Sequence, residues 1–262
     1  MILYVTSFNK KLYEATGKDM LESFVYVKTE GEILVTYEDD ITIPKHRKFI
    51  PYNLDTDDFL NNWLEENKDV IPKSIGGNFE GSMSKYNARA SKWFRKIAAL
   101  NKALEYKDRY EAIVFVDSDT TFKNKITEEY VLSVFDNSAM FYHLGQYRKH
   151  IDAGIESGFI GFHMKNGGDE FLRRTIEKFQ DKSYREYTRW DDGYVFKKVA
   201  EETKDLLLKD VVVLPDEELN HELGFGMRGS GHVIPKGPFA DYLQHRKGVH
   251  WQKYGVRFED ET

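Results

Sequence analysis

The stretch Ile113-Val114-Phe115-Val116-Asp117-Ser118-Asp119 decides the fold. Four β-branched or aromatic residues in a row, bounded by polar positions, have the pattern of a strand buried on both faces of a sheet. The run ends on two carboxylates. On an extended backbone, residues i and i+2 point to one side, so Asp117 and Asp119 are expected to converge on a single ligand. Paired carboxylates at a strand end suit a divalent cation and the phosphate it carries.

A second Asp-x-Asp triplet, Asp55-Thr56-Asp57, reads differently. It precedes Phe59, Leu60, Trp63 and Leu64 at helical spacing, so its acids are expected to cap a helix start. Outward from these triplets, strand patterns fall at 2–8, 33–37, 112–116, 139–144, 158–163 and 211–214. Helical patterns fall at 17–27, 57–66, 88–106, 127–135, 169–180 and 193–203. Such alternation predicts an α/β fold with a mostly parallel central sheet and helices on both faces. In that architecture the ligand crevice lies beyond the carboxyl ends of the strands, where Asp117 and Asp119 fall. Two glycine-rich stretches, 73–84 and 224–237, read as loops that either close over a site or simply connect.

Composition narrows the functional classes. The 262 residues suffice for one large domain, and no repeat or linker divides them, so a single domain over 1–262 is expected. A net charge of −6 argues against nucleic acid as partner. Cysteine is absent, which excludes disulfides and thiolate chemistry and suits a cytoplasmic location. No apolar run has the length of a transmembrane segment, and Met1 to Val5 lacks the charged and apolar regions of a signal peptide. A soluble, unprocessed chain is expected.

The helical pattern over 85–106 carries two stripes. Trp93, Ile97, Leu100 and Leu104 make an apolar one, and Lys85, Arg89, Lys92 and Lys96 make a basic one beside it. The cations either reach a diphosphate or lie along the surface with their heads in water. Asp191 and Asp192 follow Trp190 and open an amphipathic pattern, where they serve either as acid–base carboxylates or as a helix cap. Glu156, in Gly154-Ile155-Glu156-Ser157-Gly158-Phe159-Ile160-Gly161, is the other carboxylate candidate, among small residues that let a ligand approach backbone.

Taken with Arg89 to Lys96 and His245 to Trp251, these segments occur in the order seen in DxD-type nucleotide-sugar glycosyltransferases of the GT-A (Rossmann-like) fold. The chain most resembles the small glycosyltransferases of large DNA viruses, phages and bacteria. That resemblance implies a nucleoside-diphosphate sugar donor, UDP-linked sugars first among them, a glycan or glycoconjugate acceptor, and Mn²⁺ or Mg²⁺ as cofactor. It implies that Thr6, Ser7 and Phe8 hold the nucleoside, and that Arg89, Lys96, Ser118 and Lys247 lie along the donor. Asp117 would contact ribose or metal, and Asp119 would bind metal. His250 would be a third metal ligand, with His245 as the fallback. Acceptor activation falls to Asp192, Asp191 or Glu156, and Trp190 would stack on a sugar face. Two other classes fit parts of the pattern. Asp117-Ser118-Asp119-Thr120-Thr121 after an apolar strand also resembles the nucleophile motif of haloacid-dehalogenase-like phosphatases, and a carbohydrate-binding protein without turnover would keep the same fold.

Overall fold

The computed structural model describes residues 1–71, 85–143, 154–211 and 237–245. In chain order the first half contains β1 (Ile2–Phe8), α1 (Lys10–Leu12), a wide turn at Tyr13–Gly17, α2 (Lys18–Tyr26), β2 (Glu32–Tyr37), β3 (Phe49–Asn53), α3 (Asp58–Asn67), α4 (Lys85–Ala88) and α5 (Ala90–Leu104). There follow β4 (Ala112–Val116), β5 (Thr120–Phe122), α6 (Glu128–Phe135), β6 (Met140–His143), β7 (Glu156–His163), α7 (Gly168–Gln180), α8 (Asp192–Glu202), β8 (Leu208–Asp210) and β9 (Leu243–His245). Among the described residues no helix is long and apolar enough to cross a membrane.

Seven strands form one sheet in the order β3-β2-β1-β4-β7-β6-β8, while β5 and β9 pair separately. Side chains alternate across the sheet and fill two cores. On one face Leu3, Val5, Ile113 and Phe115 pack with Phe94, Ile97 and Leu100 of α5 and Phe171 of α7. On the other, Tyr4, Phe8, Val114 and Val116 pack with Phe24 of α2 and Phe135 of α6. Phe94 lies stacked on Trp63, with ring centroids 4.0 Å apart, and against Phe179. Burying a ring of that size stabilises the fold by roughly 1.5–3 kcal/mol. Asp57 caps α3 as its sequence position predicts, accepting a hydrogen bond from the Leu60 N–H at 2.7 Å.

Two features depart from the sequence expectations. The helical pattern over 88–106 is interrupted at Arg89, whose φ of −104° and ψ of 13° separate α4 from α5. β3 has Pro51 at its centre, which an edge strand tolerates because it needs no ladder on its outer side. Among the described residues the large sheet ends with Leu208–Asp210, and the strand expected at 211–214 falls largely outside the described residues.

Two connections shape the molecule's ends. β1, β2, β3 and β4 run parallel, but β7 enters antiparallel between β4 and β6. Its first residues therefore lie beside the carboxyl end of β4. Between β2 and β3, residues 38–48 return without a helix, burying Ile41 and half-burying Ile43 against the α2 face.

Candidate active site

β4 delivers Asp117 to the carboxyl edge of the sheet, and the chain turns there. The Thr120 N–H donates to the Asp117 carbonyl at 3.0 Å, while the Asp117 N–H bonds the Gly158 carbonyl at 2.8 Å. Asp117 and Asp119 thus converge through a turn, not through the extended spacing the sequence suggested. After the turn, β5 pairs with β9, and Thr120 lies opposite His245. The His245 Nε2 atom is 2.9 Å from Asp119 Oδ1, and its side chain is fully buried. Ligand atoms of Asp117, Asp119 and His245 all lie within 4.8 Å of one another. Two carboxylate oxygens and an imidazole suit Mn²⁺, and a harder ion would rely on the carboxylates. Lys247 and His250 lie outside the described residues, so the histidine in this cluster is the fallback, His245.

Lys96 sits at the centre of the site. Its ammonium is 2.7 Å from Asp192 Oδ2 and 3.2 Å from Asp117 Oδ1, and it donates to the Ser157 hydroxyl and carbonyl, each at 3.1 Å. It also lies over the Phe115 ring, 4.5 Å from the centroid. Burial works against its charge, but the two carboxylates outweigh burial and hold the ammonium above the usual lysine range. Lys96 is therefore no solvated member of a surface stripe. Its position on the inner face of α5 places it against the sheet, a turn beyond Lys92, which is only half-buried. Lys96 thus bridges Asp117 and Asp192, and a divalent cation held by Asp117, Asp119 and His245 would bring further positive charge to the same edge of the sheet.

The start of α8 supplies the opposite wall. Asp191 occupies the N-cap position with its carbonyl bonded to the Tyr194 and Val195 N–H groups, but its side chain does not cap. It pairs instead with Arg189, at 2.8 and 3.1 Å. Burial pushes the Asp191 carboxyl up and Arg189 opposes that shift. Asp192, in the first helical turn, accepts from the Ser157 hydroxyl at 2.7 Å as well as from Lys96. The expected sugar-stacking role of Trp190 is not borne out by its placement. Its ring is buried against Tyr184, and its indole N–H donates to the Tyr187 carbonyl. The aromatic belongs to the core.

β7 begins irregularly, and the irregularity sorts its side chains. Ser157 turns toward Lys96 on the α5 side, yet Phe159 packs with Phe141 and Phe239 in the opposite core. The β6–β7 register shifts here, as at a bulge, so that His143 lies opposite Glu156. Glu156 is buried and accepts from the Gly158 N–H at 3.1 Å. Gly158 must be small, because a Cβ there would lie 2.8 Å from Asp117 Oδ2 and 3.0 Å from Glu156 Oε1. His143 escaped the sequence reading. It is fully buried, and burial pulls its imidazole down to about 4 despite the Glu156 charge and the Phe159 backbone. A histidine ending an apolar strand in register with an acid is the signal, but the register depends on β7 being antiparallel.

Of the remaining sequence candidates, Thr6, Phe8 and Ser118 are buried, and Ser7 and Arg89 are half-buried. Thr6 and Ser7 end β1, next to β4; Thr6 is buried and its carbonyl accepts from the Thr36 hydroxyl at 2.8 Å. The Phe8 ring is in the core against Tyr13, which leaves only its backbone near the crevice. Ser118 is buried in the Asp117 turn, and Arg89 is half-buried at the α4–α5 junction.

A scan against protein-family models finds no match, and a search of curated proteins finds none either. Among solved structures the fold is similar to that of mouse xyloside xylosyltransferase 1 in its apo form, with a TM-score of 0.50. The alignment has 13% identity and covers 95% of this chain and 99% of that one. The architecture is thus a mixed α/β, Rossmann-like fold shared with that glycosyltransferase.

Proposed function

We propose that the protein is a metal-dependent glycosyltransferase that moves a sugar from a nucleoside-diphosphate donor, a UDP-sugar first among them, to a hydroxyl of a glycan or glycoconjugate. The observation that carries this reading is the continuous chain from the Asp117–Asp119–His245 cluster through Lys96 to Asp192. It couples a cation-and-diphosphate site to a carboxylate wall at the carboxyl edge of the sheet. Asp117, Asp119 and His245 would hold Mn²⁺ or Mg²⁺, with phosphate oxygens and water completing the shell. When bound, the ion supplies Lewis-acid stabilisation of the departing diphosphate.

The chain's own residues do the rest. Thr6 and Ser7 flank the nucleoside, and Lys96 fixes Asp117 and Asp192 relative to each other. In the transfer, the bond from the sugar's anomeric carbon to the diphosphate oxygen breaks and its electron pair leaves with the diphosphate. The acceptor oxygen bonds to that carbon, and its proton passes to Asp192 or Glu156. Asp191, paired with Arg189, orients the start of α8. The cysteine-free sequence suits work in the cytoplasm. The phosphatase reading is disfavoured because Asp191 and Asp192 open a helix instead of ending a strand.

The test is release of nucleoside diphosphate from UDP- and GDP-sugars with Mn²⁺ present, for the parent chain and for Asp192→Asn. The proposal expects release that Asp192→Asn lowers at least about a hundredfold while nucleotide affinity stays within a few fold. Hydrolysis of simple phosphate esters in place of nucleotide-sugar turnover would sink it.

A further inference from the structure

The return segment between β2 and β3 builds a second feature at the opposite end of the sheet from Asp117, since β3 runs parallel to β1 and β4 and the segment enters at its start. Residues 43–51 line an open depression of about 430 Å³ that includes Ile43, Lys45, His46, Arg47 and Phe49. That volume is in the range of small-molecule sites. Four basic residues run together here, Lys45-His46-Arg47-Lys48, in a chain whose net charge is −6. Their local fate differs. The Lys48 ammonium turns inward to the Thr29 carbonyl and over the Phe24 ring, and burial together with the Arg47 charge pulls it below the usual lysine range. Glu30, the acid that acts on it most strongly, is already paired with Lys125. Lys45 and Arg47 are exposed at the rim and form no ion pair among the described residues.

The cleft is also preformed. The Phe49 N–H bonds the His46 carbonyl at 3.0 Å, the Lys48 N–H bonds His46 Nδ1 at 3.2 Å, and the His46 ring lies 5.1 Å from that of Phe49. Pro44 and Pro51 fix φ on either side. Half-buried Ile43 and Phe49, with exposed Pro44 and Pro51, give the depression apolar walls beside these cations.

We propose that this cleft binds an anionic amphiphile, a phosphate or carboxylate group carried on an apolar or aromatic body, independently of the site at Asp117. Lys45 and Arg47 take the anion in water-exposed, charge-assisted contacts, and Phe49 with the two prolines takes the body. The anion relieves the mutual repulsion of the basic run. The same chemistry is offered by a soluble phosphate ester or by an anionic lipid headgroup.

The test is titration of phenyl phosphate, inorganic phosphate and benzyl alcohol into the full chain without divalent metal, followed by backbone amide shifts, together with sedimentation against phosphatidylglycerol vesicles. Phenyl phosphate is expected to shift residues 43–51 and to bind at least tenfold more tightly than either of the other probes. Lys45→Ser with Arg47→Ser should abolish that binding, and Phe49→Ser should weaken it, while Mn²⁺-dependent nucleotide binding stays unchanged. Co-sedimentation with the vesicles assigns a lipid headgroup, and binding of phenyl phosphate alone assigns a soluble ligand. Equal binding of inorganic phosphate, equal binding of benzyl alcohol, or binding insensitive to the double substitution would overturn the proposal. None of these outcomes depends on whether the chain transfers sugars.

Discussion

Replacing Lys96 with Met keeps most of the side-chain volume but removes the ammonium that joins Asp117 to Asp192. At an effective dielectric of about 20, pairs at 2.7 and 3.2 Å contribute roughly 6 and 5 kcal/mol of Coulomb attraction. Desolvation of three charges takes back most of that, so the measurable quantity is the cost of leaving the buried Asp192 carboxylate without its counter-charge, about 3–5 kcal/mol. The Asp192 side chain is 5% exposed and carries nearly all of it, whereas Asp117, 30% exposed, is screened. The lower end, about 3 kcal/mol, is the expectation, or a fall in Tm of roughly 6–12 °C for a chain of this size. The assay is urea unfolding across pH, with and without Mn²⁺. In the parent, the folded-state pKa of Lys96 is raised, so its stabilisation is fully present below the ordinary lysine pKa and is lost only as pH rises beyond it. The neutral range should show no Lys96-dependent slope. In Lys96→Met the buried Asp192 carboxylate keeps the Ser157 hydroxyl but loses its ammonium, so the deficit should shrink as pH falls toward about 5. Mn²⁺ should shrink it further by taking up the Asp117 charge. A loss under about 1 kcal/mol, or one indifferent to both pH and Mn²⁺, would refute the central position given to Lys96.

Three further outcomes follow from single residues. His143 has a folded-state pKa lowered to about 4, so the unfolded chain binds the extra proton first and stability is lost as pH falls from about 6.5 to 4. The loss is about 3 kcal/mol in all, and His143→Leu should flatten that limb in acid denaturation. Gly158→Ala drives a methyl against Asp117 and Glu156, and Mn²⁺ titration should show affinity lowered about tenfold or more with a far smaller change in urea midpoint. His245→Ala removes a buried imidazole from the cation cluster and should cost Mn²⁺ affinity more than Mg²⁺ affinity in competition titrations, because imidazole favours the softer ion.

The residues that could be read correctly from sequence are those whose neighbours are local. β1 at Ile2–Phe8 and β4 at Ala112–Val116 have the expected bounds because buried apolar runs flanked by polar residues leave little room for slippage. Asp57 capped its helix for the same reason. What escaped depends on distant pairing. β5 and β9 are three residues each and carry no periodicity, yet their register is what carries His245 to Asp119. The antiparallel entry of β7 brings Glu156, Ser157 and Gly158 to Asp117, and nothing within 154–163 announces that direction. The basic stripe on α5 was visible, but whether Lys96 faces water or Asp192 is settled by the sheet it packs against. Trp190 shows the same limit from the other side, since an aromatic beside two acids reads as a sugar platform until Tyr184 is found against it.

In the proposed function Asp117, Asp119 and His245 act together as a cation site for a nucleoside diphosphate. The direct measurement is calorimetric titration of UDP and GDP, with and without Mn²⁺, into the parent chain, Asp119→Asn and His245→Ala. Mn²⁺-dependent binding of one nucleoside diphosphate that both substitutions weaken by about tenfold or more is the predicted result. Nucleotide binding indifferent to Mn²⁺ and to both substitutions, or no binding under any condition, would contradict it.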